Sequence, residues 1–465
     1  MEPSHQAKII HSTATNLPFI LSSSTGKLEP AVRKTIRSHA RRGMKHKRNA
    51  IQVKQSNQTS RIDMEKVHKM PFQIIFDNNI TRTGQIPYRV GGDLSFLQFT
   101  DDTKLEMLLN SVKVSATAMK VIHPLVTAIA YGADPGSRLA LVQGDDAGLH
   151  LTAALMDDFV HIALRPGAGS TPMAILHFQR GIRLPCYRLV GEAKVTNSTI
   201  AAVTKLASAA HFSGDFTASR QYMEGIRKTV DLRGGLKSLE NSHLCDLGIA
   251  LLSDSRPVFF QYPSDHLYSY PVELLLSPDE GQYSMGHAQL FENLDQHLLT
   301  VWKVLKRFCM LVNLAYQTQQ LMRIEIIHQT VTSTMYRLFA FRFPSNSLDE
   351  SVRLALLAFT HNVFIQWLDI TIPNKPFTTK YQSHVDGLDL SPPAMIWIYM
   401  IGVVSISDPA RGGWGNRGLY KYCIRCGVKK WKGLQFILSS LLWIPLLDDI
   451  PGERVFIFFC LEWIT

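Results

Sequence analysis

Apolar positions recur every three or four residues through most of this chain, and two segments show the pattern most clearly. Ile200, Val203, Leu206 and Ala210 share one face of a helix capped at Asn197–Thr199, and Gly214 breaks it. Asp215 can cap the next helix, on which Ser219, Met223, Ile226 and Val230 line a face until Gly234 and Gly235 stop it. Two helices joined by a short glycine-containing turn predict an antiparallel helical hairpin. Upstream, Thr171 and Pro172 have the form of a cap followed by a first-turn proline. Ile175, Phe178, Ile182, Cys186 and Leu189 repeat behind them, and Pro185 should kink or shorten that helix.

Helical periods also dominate Lys104–Gly132 and Leu149–Leu164, and loop residues Pro166–Ser170 follow the second. Further helices are expected at 290–323, 324–342, 348–368, 392–406 and 431–447. Strand alternation is scarce. The fold class that follows is all-α, with antiparallel helical hairpins stacked in an irregular α-solenoid-like array and a disordered basic N-terminal arm. No regular sequence period points to a named repeat. Uncharged apolar runs such as Ala394–Ser407 and Leu434–Leu447 reach about 14 residues, short of the roughly 20 of a membrane-spanning helix. Buried core helices are expected there, and no membrane partner.

The N-terminal part has a different pattern. Residues 1–70 read as a basic, largely disordered arm, 71–103 as an irregular connector interrupted by Gly84, Pro87, Gly91 and Gly92, and 104–465 as the helical body. Met1–Ala7 is polar and no apolar stretch of leader type follows, so no secretory signal is expected. Within the arm, Pro30 suits a first helical turn, and Val32, Ile36, Ala40 and Met44 form a narrow stripe. Gly43 weakens that short amphipathic helix, placed near 30–48, by about 1 kcal/mol relative to alanine.

Charge changes the picture most. The formal net charge is +11, yet residues 1–70 hold 14 Lys/Arg against 4 Asp/Glu, while the other 395 residues hold 35 against 34. The excess centres on Arg33–Arg48, which carries Arg33, Lys34, Arg37, Arg41, Arg42, Lys45, Lys47 and Arg48 and no acid. Three readings of this block stay open: an arm recognised by a nuclear import receptor, a phosphate contact with nucleic acid that brings no sequence choice, or a solvated arm with neither role. His39 and His46 extend its polar face.

Candidate chemistry is sparse. The sequence has no phosphate loop, no H-E-x-x-H and no G-x-S-x-G elbow. Gly167 and Gly169 could begin a dinucleotide fingerprint, but Pro172 stands where its third glycine belongs. Asp145–Asp146 and Asp157–Asp158 are acidic pairs that could in principle bind a cation, but adjacent helical residues do not face each other, so Asp157 and Asp158 read as a solvated face or cap. Of six cysteines only Cys423 and Cys426 are close, with no second pair to complete a zinc site; they read as unlinked thiols at a helix end. No catalytic residue, metal site or cofactor is expected.

Several segments resemble fungal-specific transcription-factor-like proteins of filamentous ascomycetes. They are Phe19 with Ile36–His39 and the basic block, Gly92–Phe99, Ser115–Met119 leading into Ile122–Pro124, Ser198–Ala202, His211, Gly214–Phe216, Met223–Leu236 and Val352–Ala358. The resemblance implies that 104–465 is a helical regulatory domain in a nuclear regulator of transcription, with transcriptional partner proteins or an effector bound by that body. The binuclear zinc cluster usual in such proteins is missing, since no cysteine precedes Cys186, so sequence-specific DNA binding does not carry over. A helical metabolite-binding protein or enzyme of secondary metabolism, and a cytoplasmic helical scaffold, are the alternatives.

Overall fold

The computed structural model describes residues 9–11, 18–20, 123–131, 147–155, 171–190, 196–212, 215–233, 243–261, 268–275, 294–365, 375–388, 390–406 and 414–462. The chain divides into two units, Met1–Met70 and Pro71–Thr465. In the first, β1 (Ile9–His11) pairs antiparallel with β2 (Pro18–Ile20), Ile10 opposite Phe19. The helix expected near 30–48, the connector 71–103 and most of Lys104–Gly132 lie outside the described residues.

Among its described residues the second unit is all-α apart from one two-residue ladder. Pro124 opens α1 (Pro124–Ile129), and the chain turns extended as β3 (Ala130–Tyr131). A helix covers 147–155, here α2. Then come α3 (Pro172–Val190), α4 (Asn197–Phe212), α5 (Phe216–Leu232) and α6 (His243–Leu252). A 3-10 turn (Val258–Gln261) and the short α7 (Val272–Leu275) lead to α8 (Gln296–Thr318). β4 (Met322–Arg323) pairs in parallel with β3 and runs directly into α9 (Ile324–Ala340). The rest is α10 (Leu348–Phe364), α11 (Lys375–Val385), α12 (Pro392–Ile406), α13 (Asn416–Arg425), α14 (Trp431–Ser440) and α15 (Pro445–Glu462).

Local signals set several of these ends. Thr171 Oγ1 accepts the Ala174 N–H at 3.0 Å, and Asp215 Oδ1 accepts that of Ala218 at 2.9 Å. The cap of α4 sits one residue earlier than the sequence suggested: Thr196 Oγ1 takes the Thr199 N–H, and Asn197 is already helical. Asn197 instead accepts from the Arg233 guanidinium, which ties the end of α5 to the start of α4. Between the two helices Ser219 donates to the Ala207 carbonyl, and Met223, Ile226 and Val230 meet Ile200 and Val203 in the core. Pro185 does not end α3, which continues to Val190.

The body converges on α12. Every residue from Ala394 to Ile406 is buried, and α10, α11, α13, α14 and α15 all touch the helix. An isotropically apolar helix has no face to offer water and must be enclosed. Trp397 stands edge-on to Trp302 of α8 at 5.0 Å, and its indole N–H reaches the Leu442 carbonyl. A solenoid unit touches only its neighbours in the array. Here α6 meets α4, α5, α9, α10 and α11, contacts that reach past its neighbours in the chain, so a solenoid-like stacking is not confirmed.

The expected helix at 431–447 is two. Pro445 biases the residue before it away from helical geometry, and the chain bends at 441–444 between α14 and α15. The freed groups of the bend are met from other helices. Lys306 donates to the carbonyls of Ser439, Ser440 and Leu441, and Asn313 to that of Trp443. Asp448 accepts the Ile444 N–H and the Asn362 amide. Among the described residues no helix is long and apolar enough to cross a membrane.

Two glycines let helices approach α12 closely. A Cβ on Gly418 would lie 2.3–2.7 Å from three atoms of the Tyr399 ring, and one on Gly402 would lie 2.6 Å from Tyr381. Helix propensity alone makes Gly418→Ala stabilising by about 1 kcal/mol. The Tyr399 ring is held between Trp414 and Tyr422, so overpacking is expected to dominate and to destabilise by about 1–3 kcal/mol in urea unfolding. A variant more stable than the parent would refute the close-packed contact.

Candidate functional site

The eight cations singled out in the sequence, Arg33, Lys34, Arg37, Arg41, Arg42, Lys45, Lys47 and Arg48, lie outside the described residues. So do Asp145, Asp146, Asp157, Asp158, Gly167 and Gly169. Cys423 and Cys426 are described: Cys423 is in the last turn of α13, Cys426 caps it, and both are free thiols. Among the described residues no three His, Cys, Asp or Glu side chains converge as a metal-holding group.

The chemistry-bearing groups of the body are buried ones that no sequence motif announced. Asp246 sits in α6 at 1% exposure. Its Oδ1 accepts the Val258 N–H at 2.6 Å, and its Oδ2 accepts the Phe259 N–H at 3.1 Å and the Tyr336 hydroxyl at 3.0 Å. Burial pushes the carboxyl up to about 6, against the opposing pull of these three hydrogen bonds. Tyr336 rises well above its ordinary value because burial and the Asp246 charge both oppose ionisation. Tyr336 also stacks on Tyr268, whose carbonyl accepts from Arg337, and the Arg337 guanidinium lies 4.1 Å from the Tyr270 ring centre. The arrangement fixes the 3-10 turn and the Tyr268–Tyr270 segment to α6 and α9. Both carboxylate oxygens of Asp246 are engaged by protein donors, so the group is a structural acceptor.

Burial lowers the pKa of three histidines: the buried His211 and His361 and the half-buried His123. His361 on α10 falls to about 4, first through burial; the Ser405 backbone offsets this in part and His211 adds to it. His211 at the end of α4 falls to about 4 through burial. His123 does the same through burial and the neighbouring His328. Asp448 is pushed the other way, up to about 7, by burial. Cys245 and Cys309 rise to about 12, again by burial first, which leaves them protonated and poor nucleophiles. The sequence did carry one signal for this set: an ionisable residue inside an otherwise apolar helical run, as with Asp246 before Leu247–Leu252 or His361 after Leu354–Phe359.

No protein-family model matches the chain, no curated protein does, and no solved structure does.

These environments generate two expectations. Asp246→Ala leaves three buried donors without their acceptor and is expected to cost about 3 kcal/mol in urea unfolding, against about 1 for Tyr336→Phe. Equal losses would contradict the three-donor role. The second concerns acid. His211 and His361 titrate near 4 when folded and near the ordinary 6.5 when unfolded, so the unfolded chain takes up protons first as pH falls. Each shift contributes up to roughly 3 kcal/mol, fully present above about 6.5 and lost towards 4. Asp246 and Asp448 oppose this, since they bind protons more readily when folded. A His211→Gln/His361→Gln variant should therefore lose less stability than the parent between those pH values. Parallel stability–pH profiles would exclude the histidine contribution.

Proposed function

We propose that this chain is a non-enzymatic regulator of transcription that acts in the nucleus. The basic arm is bound by an import receptor, and the all-α body binds transcriptional partner proteins or an effector. The carrying observation is the charge distribution: Arg33–Arg48 holds eight cations without an acid, ahead of a body that is nearly balanced overall. The segment resemblance to fungal transcription-factor-like proteins supports the same reading. So does the use of the buried Asp246 and Asp448 carboxylates as acceptors for backbone and side-chain donors. Direct phosphate contact by the arm is a secondary role of the same residues. The reading needs no cofactor.

The test is localisation of a full-length fluorescent fusion in which all eight arm cations are replaced by glutamine. The parent should accumulate in the nucleus and the variant should lose most of that accumulation. Cytoplasmic retention of the parent would favour a helical scaffold, and unchanged nuclear accumulation of the variant would remove the import role of the arm.

A further inference from the structure

The near balance of charge in the body conceals a second basic cluster. From residue 409 to 447 the chain has seven Lys/Arg and no Asp or Glu. Six of these fall on α13, the following turn and the start of α14: Arg417, Lys421, Arg425, Lys429, Lys430 and Lys432. All six are exposed, and among the described residues none forms an ion pair with a carboxylate.

Their placement follows from the helix. Arg417, Lys421 and Arg425 are four residues apart and make one stripe about 12 Å long. The opposite face, Leu419, Tyr422 and Cys423, is buried in the body, and Gly418 seats the helix on Tyr399. The stripe is therefore fixed on a rigid element. Lys421 Nζ and the Arg425 guanidinium carbon lie 5.2 and 5.3 Å from the ring centre of the buried Tyr422, which restrains both cations. Gly427, at φ +65°, turns the chain so that Lys429 and Lys430 follow directly, and Lys430 is the N-cap of α14.

Arg425 suits the negative end of α13, but the helix dipole does not account for the cations at the start of α14. The first turn of a helix favours acids, because its N-terminus carries partial positive charge. The first turn of α14 has no acid, and Lys430 and Lys432 stand there instead. Like charges at i,i+4 on α13 also repel. Such a cluster destabilises the free protein and is relieved when an anion covers it.

We propose that the exposed face of α13 and the α13–α14 turn binds the phosphate backbone of a nucleic-acid duplex, independently of the N-terminal arm. A stripe of about 12 Å spans three to four phosphates of one strand at about 3.4 Å rise each. A membrane surface requires a broad apolar face beside the cations, whereas Leu419, Tyr422 and Leu434 are turned inward and only Ile424 and Phe436 stand exposed as large apolar side chains on α13 and α14. An acidic peptide docks through a cluster of apolar or aromatic anchors, and two exposed apolar side chains fall short of one. The contact provides affinity and no base readout.

The experiment uses four full-length proteins: the parent, one with the eight arm cations changed to glutamine, one with the six face cations changed to glutamine, and one with both sets changed. Each is titrated against a labelled mixed-sequence duplex of about 30 base pairs, by anisotropy, from about 50 to about 200 mM salt. The arm-neutral protein should still bind, with a slope of log affinity on log salt approaching about −5 and a loss of about a thousandfold over that range. Neutralising the face in the same background should weaken binding at least about tenfold and flatten the slope; restoring only Arg417, Lys421 and Arg425 should return roughly half of it. Matching melting curves for the four proteins establish that all are folded. Equal binding by the arm-neutral and doubly neutral proteins would overturn the proposal. So would arm-neutral protein that binds phosphatidylserine vesicles or an acidic peptide but not the duplex.

Discussion

The structure depends on one constraint, the enclosure of α12. From Ala394 to Ile406 this helix presents apolar side chains in all directions, so it is stable in water only when covered on every side. That requirement recruits α8, α10, α11, α13, α14 and α15 around it. It also explains the contacts that no single neighbour demands. Gly402 and Gly418 are the positions where an approaching ring comes too near for a Cβ, so α11 and α13 can lie against α12 only with glycine there. At about 22 Å, the helix is too short for a bilayer core of about 30 Å, and the same sequence that would look membrane-like by hydropathy is a core element.

Covering a helix completely forces irregular backbone into the interior. The bend at 441–444 is buried, and buried carbonyls and N–H groups need partners. Lys306 and Asn313 of α8, Trp397 of α12 and Asp448 of α15 supply them, and Asn362 of α10 donates in turn to the Asp448 carboxylate. The Asp246 carboxylate does the same for the 3-10 turn. The ionisable groups of the interior thus follow from packing: each burial that perturbs a carboxyl is the consequence of closing a loop against the core. The same burial holds His211 and His361 neutral, so the core couples to acid through the groups that complete it.

Sequence legibility tracked how local each cause was. α12 was readable to the residue, because an uncharged run that starts at a proline pair has few alternatives. The α4–α5 hairpin was readable through Asp215 and the spaced faces, with the cap of α4 misplaced by one residue. α6, α11, α13 and α15 were not anticipated, and 431–447 was taken as a single helix. In α13 a Gly and three cations obscure the apolar face, which consists of only Leu419, Tyr422 and Cys423. At 441–444 the run stays apolar through the bend, so periodicity gives no warning, and only Pro445 marks it. Asp246 and the histidines were illegible as a set because what joins them is tertiary. The solenoid-like stacking is not confirmed for a related reason: paired helices are visible in the sequence, but nothing local says that α6 will touch five other helices.

Charge was the feature most distorted by averaging. Over the 395 residues after Met70, 35 cations and 34 acids cancel on paper, yet they do not cancel in space. The 39 positions from 409 to 447 contain no acid at all, and the fold gathers six of their cations onto one short helix and its turn. On this face, a buried apolar side and the Tyr422 ring hold the cations at fixed spacing, so little side-chain freedom remains to be lost on binding. A fixed row of charges discriminates by geometry, favouring a partner whose own charges are regularly spaced. A count of charges treats this face and Arg33–Arg48 alike, because a count carries no spacing.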